Sequence, residues 1–306
     1  MAIATIAIGG GLVGAGSIAI AQPADDPAAQ DNAAAQPEAA AVALPGPNQF
    51  VSGLDLECFD TPGPALNLQL QLTQLNPVLL QLGLTPHVVV VGALVQTCVP
   101  VQKNGVPPQP AALPFIQQTD LACYKVQAQP LVNPIQVTLK HLNPVLANLP
   151  SHIDKLVQPV QLCLPVAKNG VVPTPDILKL VQFIDLECYA TSADNHPTFT
   201  LNLKQLNPQL ANIPPHNLTL VGQPRQLCVP VQKNSQVIPA DVLAIVRWLD
   251  LEKFPASPVT AVPPNNVVLS HLNPMLTTLP RVQVVLQTAN ALMVPVSKNG
   301  AVPPPP

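Results

Sequence analysis

A nine-residue motif recurs four times in this chain at a spacing of 65 residues, and this period constrains the fold more than any other feature. Its general form is Leu-Cys-Val-Pro-Val-x-Lys-Asn-Gly. Its second position holds Cys98, Cys163, Cys228 and Met293. A fixed period of this kind is typical of tandem structural units that bury their surfaces against neighbours. The 306 residues therefore form four units rather than the two domains that length alone predicts.

Two further motifs recur in each unit. The first is Asp-Leu-x-Cys-aromatic, which begins at Asp55, Asp120, Asp185 and Asp250. The second is a run of alternating apolar residues that ends in Leu-Asn-Pro, with the asparagine at Asn76, Asn143, Asn207 and Asn273. Alternation with a period of two predicts strands, and proline after asparagine ends them. The sequence predicts an all-β fold of four small β-sandwich or partial-barrel repeats, stacked as an elongated rod.

Proline and the connectors refine this prediction. Within the nine-residue motif, Pro100 and its three equivalents predict a sheet edge or a bulge, because proline donates no ladder hydrogen bond. Apolar residues at 177–183 and 242–248 favour a short helix in the later connectors. Pro110 and Pro114 argue against a helix in the first connector.

The six cysteines allow fifteen pairings, and the repeat selects one of them. Two cysteines 40 residues apart lie in each of the first three units, whereas the fourth unit holds Lys253 and Met293 at both positions. Joint absence predicts the disulfides Cys58–Cys98, Cys123–Cys163 and Cys188–Cys228. Closing a loop of this length stabilises a small unit by about 4 kcal/mol in the chain-entropy model. No clustered Cys or His spacing indicates a metal site.

The N-terminal region predicts export. Residues 1–21 are apolar and end in Ala19-Ile20-Ala21, a pattern typical of a secretory signal peptide, although no Lys or Arg precedes Lys103. An uncleaved membrane anchor is the alternative interpretation. Residues 22–49 are rich in Ala and Pro and predict a disordered linker. The predicted repeats then cover 50–114, 115–179, 180–244 and 245–306.

Composition and motifs give little support to catalysis. The net charge of −3 offers no case for nucleic acid or for an anionic membrane after signal cleavage. Gly9-Gly10-Gly11-Leu12-Val13-Gly14 fits a dinucleotide-binding pattern but opens no βαβ unit, so no cofactor is predicted. His141 and His271 alternate with Gln between repeats, which favours polar surface positions over a catalytic base. The recurring aspartates favour a turn or capping role.

Two recurring positions are candidates for binding. The aromatic residues Phe59, Tyr124, Tyr189 and Phe254 share one repeat position, which predicts core or corner packing, with a sugar-stacking platform as the alternative. The lysines of the Lys-Asn-Gly turns predict solvated turns, and the alternative is a multivalent contact row made of Lys103, Lys168, Lys233 and Lys298.

The three motifs together resemble a repeat domain of unknown function that occurs in secreted proteins of actinobacteria and some archaea. The resemblance covers residues 50–306, and the chain departs from it at Lys253, Met293 and Ser235. It implies an exported, disulfide-containing β domain and brings no activity.

These observations predict a non-enzymatic structural or binding protein that is secreted or associated with the cell envelope. Its expected partner is a cell-wall polymer or a surface protein, and self-association is an alternative. A carbohydrate-binding module array is the second hypothesis. A secreted hydrolase is the third, and it would need acids and bases that this sequence does not cluster.

Overall fold

A computed structural model of the protein describes residues 42–193, 197–223 and 225–305. The predicted signal peptide and the linker as far as residue 41 lie outside the described residues. The C-terminal part of the chain from residue 41 forms one compact unit. None of the helices among the described residues is long and apolar enough to cross a membrane.

Strands dominate the described residues and confirm the all-β class. The first two repeats supply β1 Leu56–Asp60, β2 Ala65–Gln74, β3 His87–Lys103, β4 Asp120–Gln127, β5 Ile135–His141 and β6 His152–Lys168. The last two supply β7 Leu186–Ala193, β8 Phe199–Gln205, β9 His216–Leu220, β10 Gln226–Lys233, β11 Leu251–Pro258, β12 Asn265–His271, β13 Val282–Leu286 and β14 Ala289–Lys298.

Short helices occupy the connections. They are α1 Pro47–Val51, α2 Pro77–Gln81, α3 Leu113–Ile116, α4 Pro175–Val181 and α5 Ala240–Val246, together with 3-10 turns at Pro144–Leu146 and Pro208–Leu210. The predicted helices of the later connectors are confirmed as α4 and α5. The expectation that proline excludes a helix from the first connector is wrong, because Pro114 lies in the first turn of α3, where no intrahelical N–H donor is needed. Helix α1 also begins inside the range predicted as linker.

The Leu-Asn-Pro motif ends its strand as predicted, and its asparagine has a second role. The side chain of Asn76 accepts hydrogen bonds from the backbone N–H groups of Val78 and Leu79, so it caps α2. Asn143 and Asn207 cap the two 3-10 turns in the same way. Each asparagine therefore converts a strand end into a helical turn at a fixed place in the repeat.

Eight strands close into a ring of antiparallel pairs. The order is β1, β3, β4, β6, β7, β10, β11 and β14, and β14 pairs again with β1. In the closing pair Leu56 lies opposite Met293. The first and last repeats are therefore direct neighbours. This arrangement differs from the expected elongated rod of separate sandwiches, because a closed ring leaves no unpaired edge between its first and last strands.

A second set of pairs joins repeats that are two apart. The ends of β3 and β6 pair with β8 and β12, and the ends of β10 and β14 pair with β2 and β5. Pro100 lies where β3 leaves β1 for β8, and its carbonyl accepts a hydrogen bond of 2.9 Å from the N–H of Leu206. Pro165, Pro230 and Pro295 make the equivalent bond. The repeated proline thus marks a change of neighbouring strand rather than an outer edge.

Both faces of the ring are buried, which explains the high apolar content of a chain with few charges. Leu56 and Cys58 pack with the side chains of α1, α3, α4 and α5, whereas Phe59 packs with residues of strands outside the ring, such as β2 and β8. A sheet that is buried on two sides needs apolar residues at consecutive positions.

The three disulfides match the pairs that the spacing predicts, Cys58–Cys98, Cys123–Cys163 and Cys188–Cys228. Each joins directly opposite residues of neighbouring ring strands. Lys253 lies opposite Met293 in the fourth repeat, at the place where a disulfide would otherwise lie.

We predict that a chain ending at residue 249 will not fold cooperatively. Truncation removes β11 to β14, so β1, β5, β6, β9 and β10 lose partners. Far-UV circular dichroism during heating should show no sharp transition, whereas the full chain should melt cooperatively. All three disulfides remain in the truncated chain, so their loss cannot explain the result. A cooperative melt of the truncated chain would contradict the closed ring and support independent repeats.

Candidate functional site

Four buried centres of one aspartate, one lysine and one asparagine recur around the ring. Each lysine contacts the aspartate of its own repeat, in the pairs Asp55–Lys103, Asp120–Lys168, Asp185–Lys233 and Asp250–Lys298. The asparagine of a neighbouring repeat donates its side-chain N–H to the same carboxylate, in the order Asn143, Asn207, Asn273 and Asn76. These centres therefore tie each repeat to the next, and the last repeat to the first.

Burial controls the ionisation of these centres. The side chains of Lys103 and Asp55 are 1% and 4% exposed. Burial raises the pKa of Asp55 and of Asp250 to about 6, although the neighbouring lysine favours the charged form. Burial also lowers the pKa of Lys103 below its ordinary value. A charge that is removed from water is costly even beside its partner, so each centre resists the loss of either member.

These contacts correct two interpretations. The recurring lysines, Lys103, Lys168, Lys233 and Lys298, are buried, so neither a solvated lysine nor an exposed contact row exists at these positions. The recurring aspartates bind lysine and asparagine side chains, which is a larger role than turn capping.

The asparagine after each lysine lies in the left-handed region and extends the sheet. Asn104 has φ of 47°, and its side-chain oxygen accepts a hydrogen bond from the N–H of Asn202 at 2.9 Å. Asn169, Asn234 and Asn299 make the same bond to the repeat two further along. The turn therefore joins two repeats.

A second type of centre pairs a buried glutamate with histidine and glutamine. Glu57 contacts His216 Nε2 at 2.7 Å, and Gln205 Nε2 donates to its other oxygen at 2.6 Å. Glu187 contacts His87 at 2.7 Å and Gln74 at 2.9 Å in the same way. The hydrogen bonds to Glu57 and Glu187 raise the pKa of His216 and His87. Both centres join the first repeat to the third.

The third glutamate belongs to a larger cluster. Glu252 contacts His152 Nε2 at 3.0 Å and His141 Nε2 at 3.8 Å. One ligand atom each from His141, His152 and Glu252 lies within 4.8 Å of the others, so these residues could hold a metal ion. Arg225 Nε lies 2.9 Å from Glu252 Oε1, the oxygen that also contacts His152, and Arg225 Nη2 donates to Asp154 at 2.8 Å. The guanidinium already neutralises this carboxylate, which favours an ion-pair network over a metal centre.

The second repeat has no glutamate at the equivalent position. Ala122 occupies it, and His271 Nε2 instead lies 3.2 Å from the Tyr124 hydroxyl. Burial lowers the pKa of His271 to about 4, which keeps the ring neutral. His141 and His271 are 3% and 8% exposed, so their interpretation as surface positions is wrong. The third residue of Asp-Leu-x-Cys is Glu in three repeats, and this was the signal that could have indicated buried partners.

The shared aromatic position is part of the core. Phe59, Tyr124, Tyr189 and Phe254 are at most 2% exposed, which matches core packing and removes the sugar-stacking platform at this position.

Lys253 is the one buried lysine that has no acidic partner among the described residues. Its Nζ contacts the side-chain oxygens of Gln96 and Gln161, and the distance to Gln161 is 2.6 Å. Gln161 also donates to Gln96 at 3.2 Å, and Gln96 donates to Asn290 at 2.6 Å. Burial lowers the pKa of Lys253 to about 7. A polar network therefore replaces the missing fourth disulfide.

An open groove lies between the β2–β3 connection of the first repeat and the β4–β5 connection of the second. Residues 82–85, 87–88 and 129–136 line it, with Pro159, and its volume is about 780 Å³. Leu82 and Val88 are 42% and 49% exposed, and Val132 is 95% exposed. His87 is the lining residue that also binds Glu187, so the groove borders one buried glutamate centre.

No protein-family model, curated protein or solved structure matches the sequence. The resemblance to a repeat domain of unknown function therefore stays a prediction.

We predict that Lys253→Met will stabilise the protein at low pH. The folded-state pKa of Lys253 lies below that of the unfolded chain, so its cost is fully present below pH 7 and disappears as the pH rises toward 10.5. The gain should be on the order of 2 kcal/mol at pH 6. Urea unfolding at pH 6, 8 and 10 measures it. The exposed Lys179→Met provides the control, and a gain of equal size at all three pH values would contradict the assignment.

Proposed function

We propose that this is an exported, non-enzymatic scaffold that contacts a cell-wall polymer or surface protein through its groove between the first two repeats. The observation that carries the proposal is the use of the buried acids and bases. Asp55, Glu57 and their equivalents bind side chains of other repeats, so these acids hold the ring closed rather than act on a substrate.

Export is supported by the three disulfides. Such bonds persist in oxidising compartments and are rare in the reducing cytosol. The apolar N-terminal segment, residues 1–21, provides the corresponding export signal in the sequence.

The groove is the contact surface that the geometry favours. It combines exposed aliphatic side chains, such as Leu82 and Val132, with the polar side chains of Gln129 and Asn133. Binding surfaces on proteins commonly combine an apolar centre with a few polar groups that orient the partner. The large exposed hydrophobic residues among the described residues are Val, Leu, Ile and Met. This composition favours contact with apolar groups of the partner over stacking on a sugar ring, which usually needs an exposed aromatic side chain.

Ring closure changes the role expected for the repeats. An elongated array would present the same surface four times and bind by avidity. In the closed ring the repeats build one scaffold, and the groove uses the connecting loops, which differ in sequence between repeats. Specificity then depends on the single groove between the first two repeats rather than on four copies of one surface.

We predict that Val132→Asp will weaken binding to purified cell walls of the producing organism. A carboxylate at this position would place a charge in the apolar contact and lower the pelleted fraction at least about fivefold in co-sedimentation. Val237→Asp is the matched control, because Val237 is 84% exposed and lies outside the groove.

Equal pelleting of the two variants would contradict binding through the groove. Insoluble polysaccharides without attached protein serve as the second arm. Pelleting with them that soluble fragments prevent would identify the partner as a cell-wall polymer, whereas pelleting with whole cell walls alone would identify a surface protein.

A further inference from the structure

Three of the four aspartate–lysine centres share one geometry. In each, the lysine Nζ contacts Oδ1 of the aspartate, and an asparagine donates to Oδ2 at 2.6 or 2.7 Å; the aspartates are Asp55, Asp120 and Asp250. At Asp185 both Lys233 and Asn273 contact Oδ2. The three matching centres therefore present an amine and a carboxyl group in contact, with an N–H donor on the far oxygen.

The side chains of these centres are buried. The lysine and aspartate side chains are at most 4% exposed in all three. An ammonium group carries three donors, yet among the described residues the aspartate is the one ionic partner of each lysine. Burial raises the pKa of each aspartate and lowers the pKa of each lysine. Both shifts favour transfer of one proton from Nζ to the carboxylate, which would give a neutral amine beside a neutral carboxylic acid.

A neutral lysine amine is a nucleophile, and a carboxylic acid is a far better electrophile than a carboxylate. Fixed contact between two reacting groups raises their effective concentration by several orders of magnitude. The asparagine N–H on Oδ2 would stabilise the negative charge that develops there during attack. Asn143, Asn207 and Asn76 occupy this position.

We propose that Asp55–Lys103, Asp120–Lys168 and Asp250–Lys298 condense into intramolecular isopeptide bonds. Nζ attacks Cγ, and a tetrahedral intermediate forms. A proton from nitrogen moves to the Oδ1 hydroxyl group, the Cγ–Oδ1 bond breaks, and one water molecule leaves. Oδ2 becomes the amide oxygen. The reaction needs no oxidant, cofactor or co-reactant.

Such bonds would complement the disulfides. Each joins the start of the first strand of a repeat to the end of its last ring strand, and reducing agents would not break it. The Asp250–Lys298 bond would lie in the fourth repeat, where Lys253 and Met293 replace the cysteines.

The test is the intact mass of the purified full chain, after reduction and alkylation and with the N-terminus determined by peptide mapping. Each isopeptide bond removes one water, so the mass should fall about 54 Da below the mass calculated for the linear, alkylated chain, or about 18 Da for each bond. Tandem mass spectrometry should identify three branched peptides that join the named lysines and aspartates.

Two variants provide matched controls. Lys298→Arg keeps the charge but removes the nucleophilic amine, so the deficit should fall from three waters to two. Lys179→Arg alters the exposed pair with Asp241 and should leave the deficit unchanged. Peptide mapping of the chain without substitutions decides the question even when Lys298→Arg does not fold.

An intact mass equal to that calculated for the linear, alkylated chain would overturn the proposal and leave three ion pairs. A deficit of about 17 Da for each bond, with asparagine in the branched peptides, would also overturn it, because ammonia would then be the leaving group.

Discussion

The buried contact between an aspartate and a lysine, completed by an asparagine of a neighbouring repeat, is the interaction on which this structure depends. It lies where the last ring strand of a repeat separates from the first ring strand of that repeat. It therefore fixes this turn of the chain and holds the neighbouring repeat that supplies the asparagine. Loss of Asp55, for example, would leave Lys103 and Asn143 buried without their partner. An unpaired buried charge costs several kcal/mol, so these positions tolerate substitution poorly.

Closure of the ring then follows from the number of repeats and from two sets of strand pairs. Neighbouring repeats pair along the ring, and repeats two apart pair through the strand ends beyond each proline. In the second set, each repeat needs a partner on the opposite side of the ring. For the second repeat, only the fourth repeat can be that partner. The glutamate centres follow the same rule, because Glu57 and Glu187 each bind residues of the repeat two positions away.

The sequence predicted the features that depend on spacing within one repeat. The strands, the strand end at Leu-Asn-Pro and the cysteine pairs all follow from local pattern and from joint absence at Lys253 and Met293. It did not predict the burial of Lys103 or His141, because a lysine beside Asn-Gly is typical of a turn, and the partners of His141 come from other repeats. Contacts between distant repeats leave no spacing signal in a single chain.

The sequence by itself therefore determined the repeat, its strands and its disulfides, since period-two alternation and cysteine spacing are local constraints. Only the tertiary structure decided that four units close on themselves instead of extending. The physical reason is that ring closure depends on strand twist and on pairing between residues such as Leu56 and Met293, which lie at opposite ends of the repeat array. The same closure placed the polar groups inside and left the groove at residues 82–85, 87–88 and 129–136 on the surface.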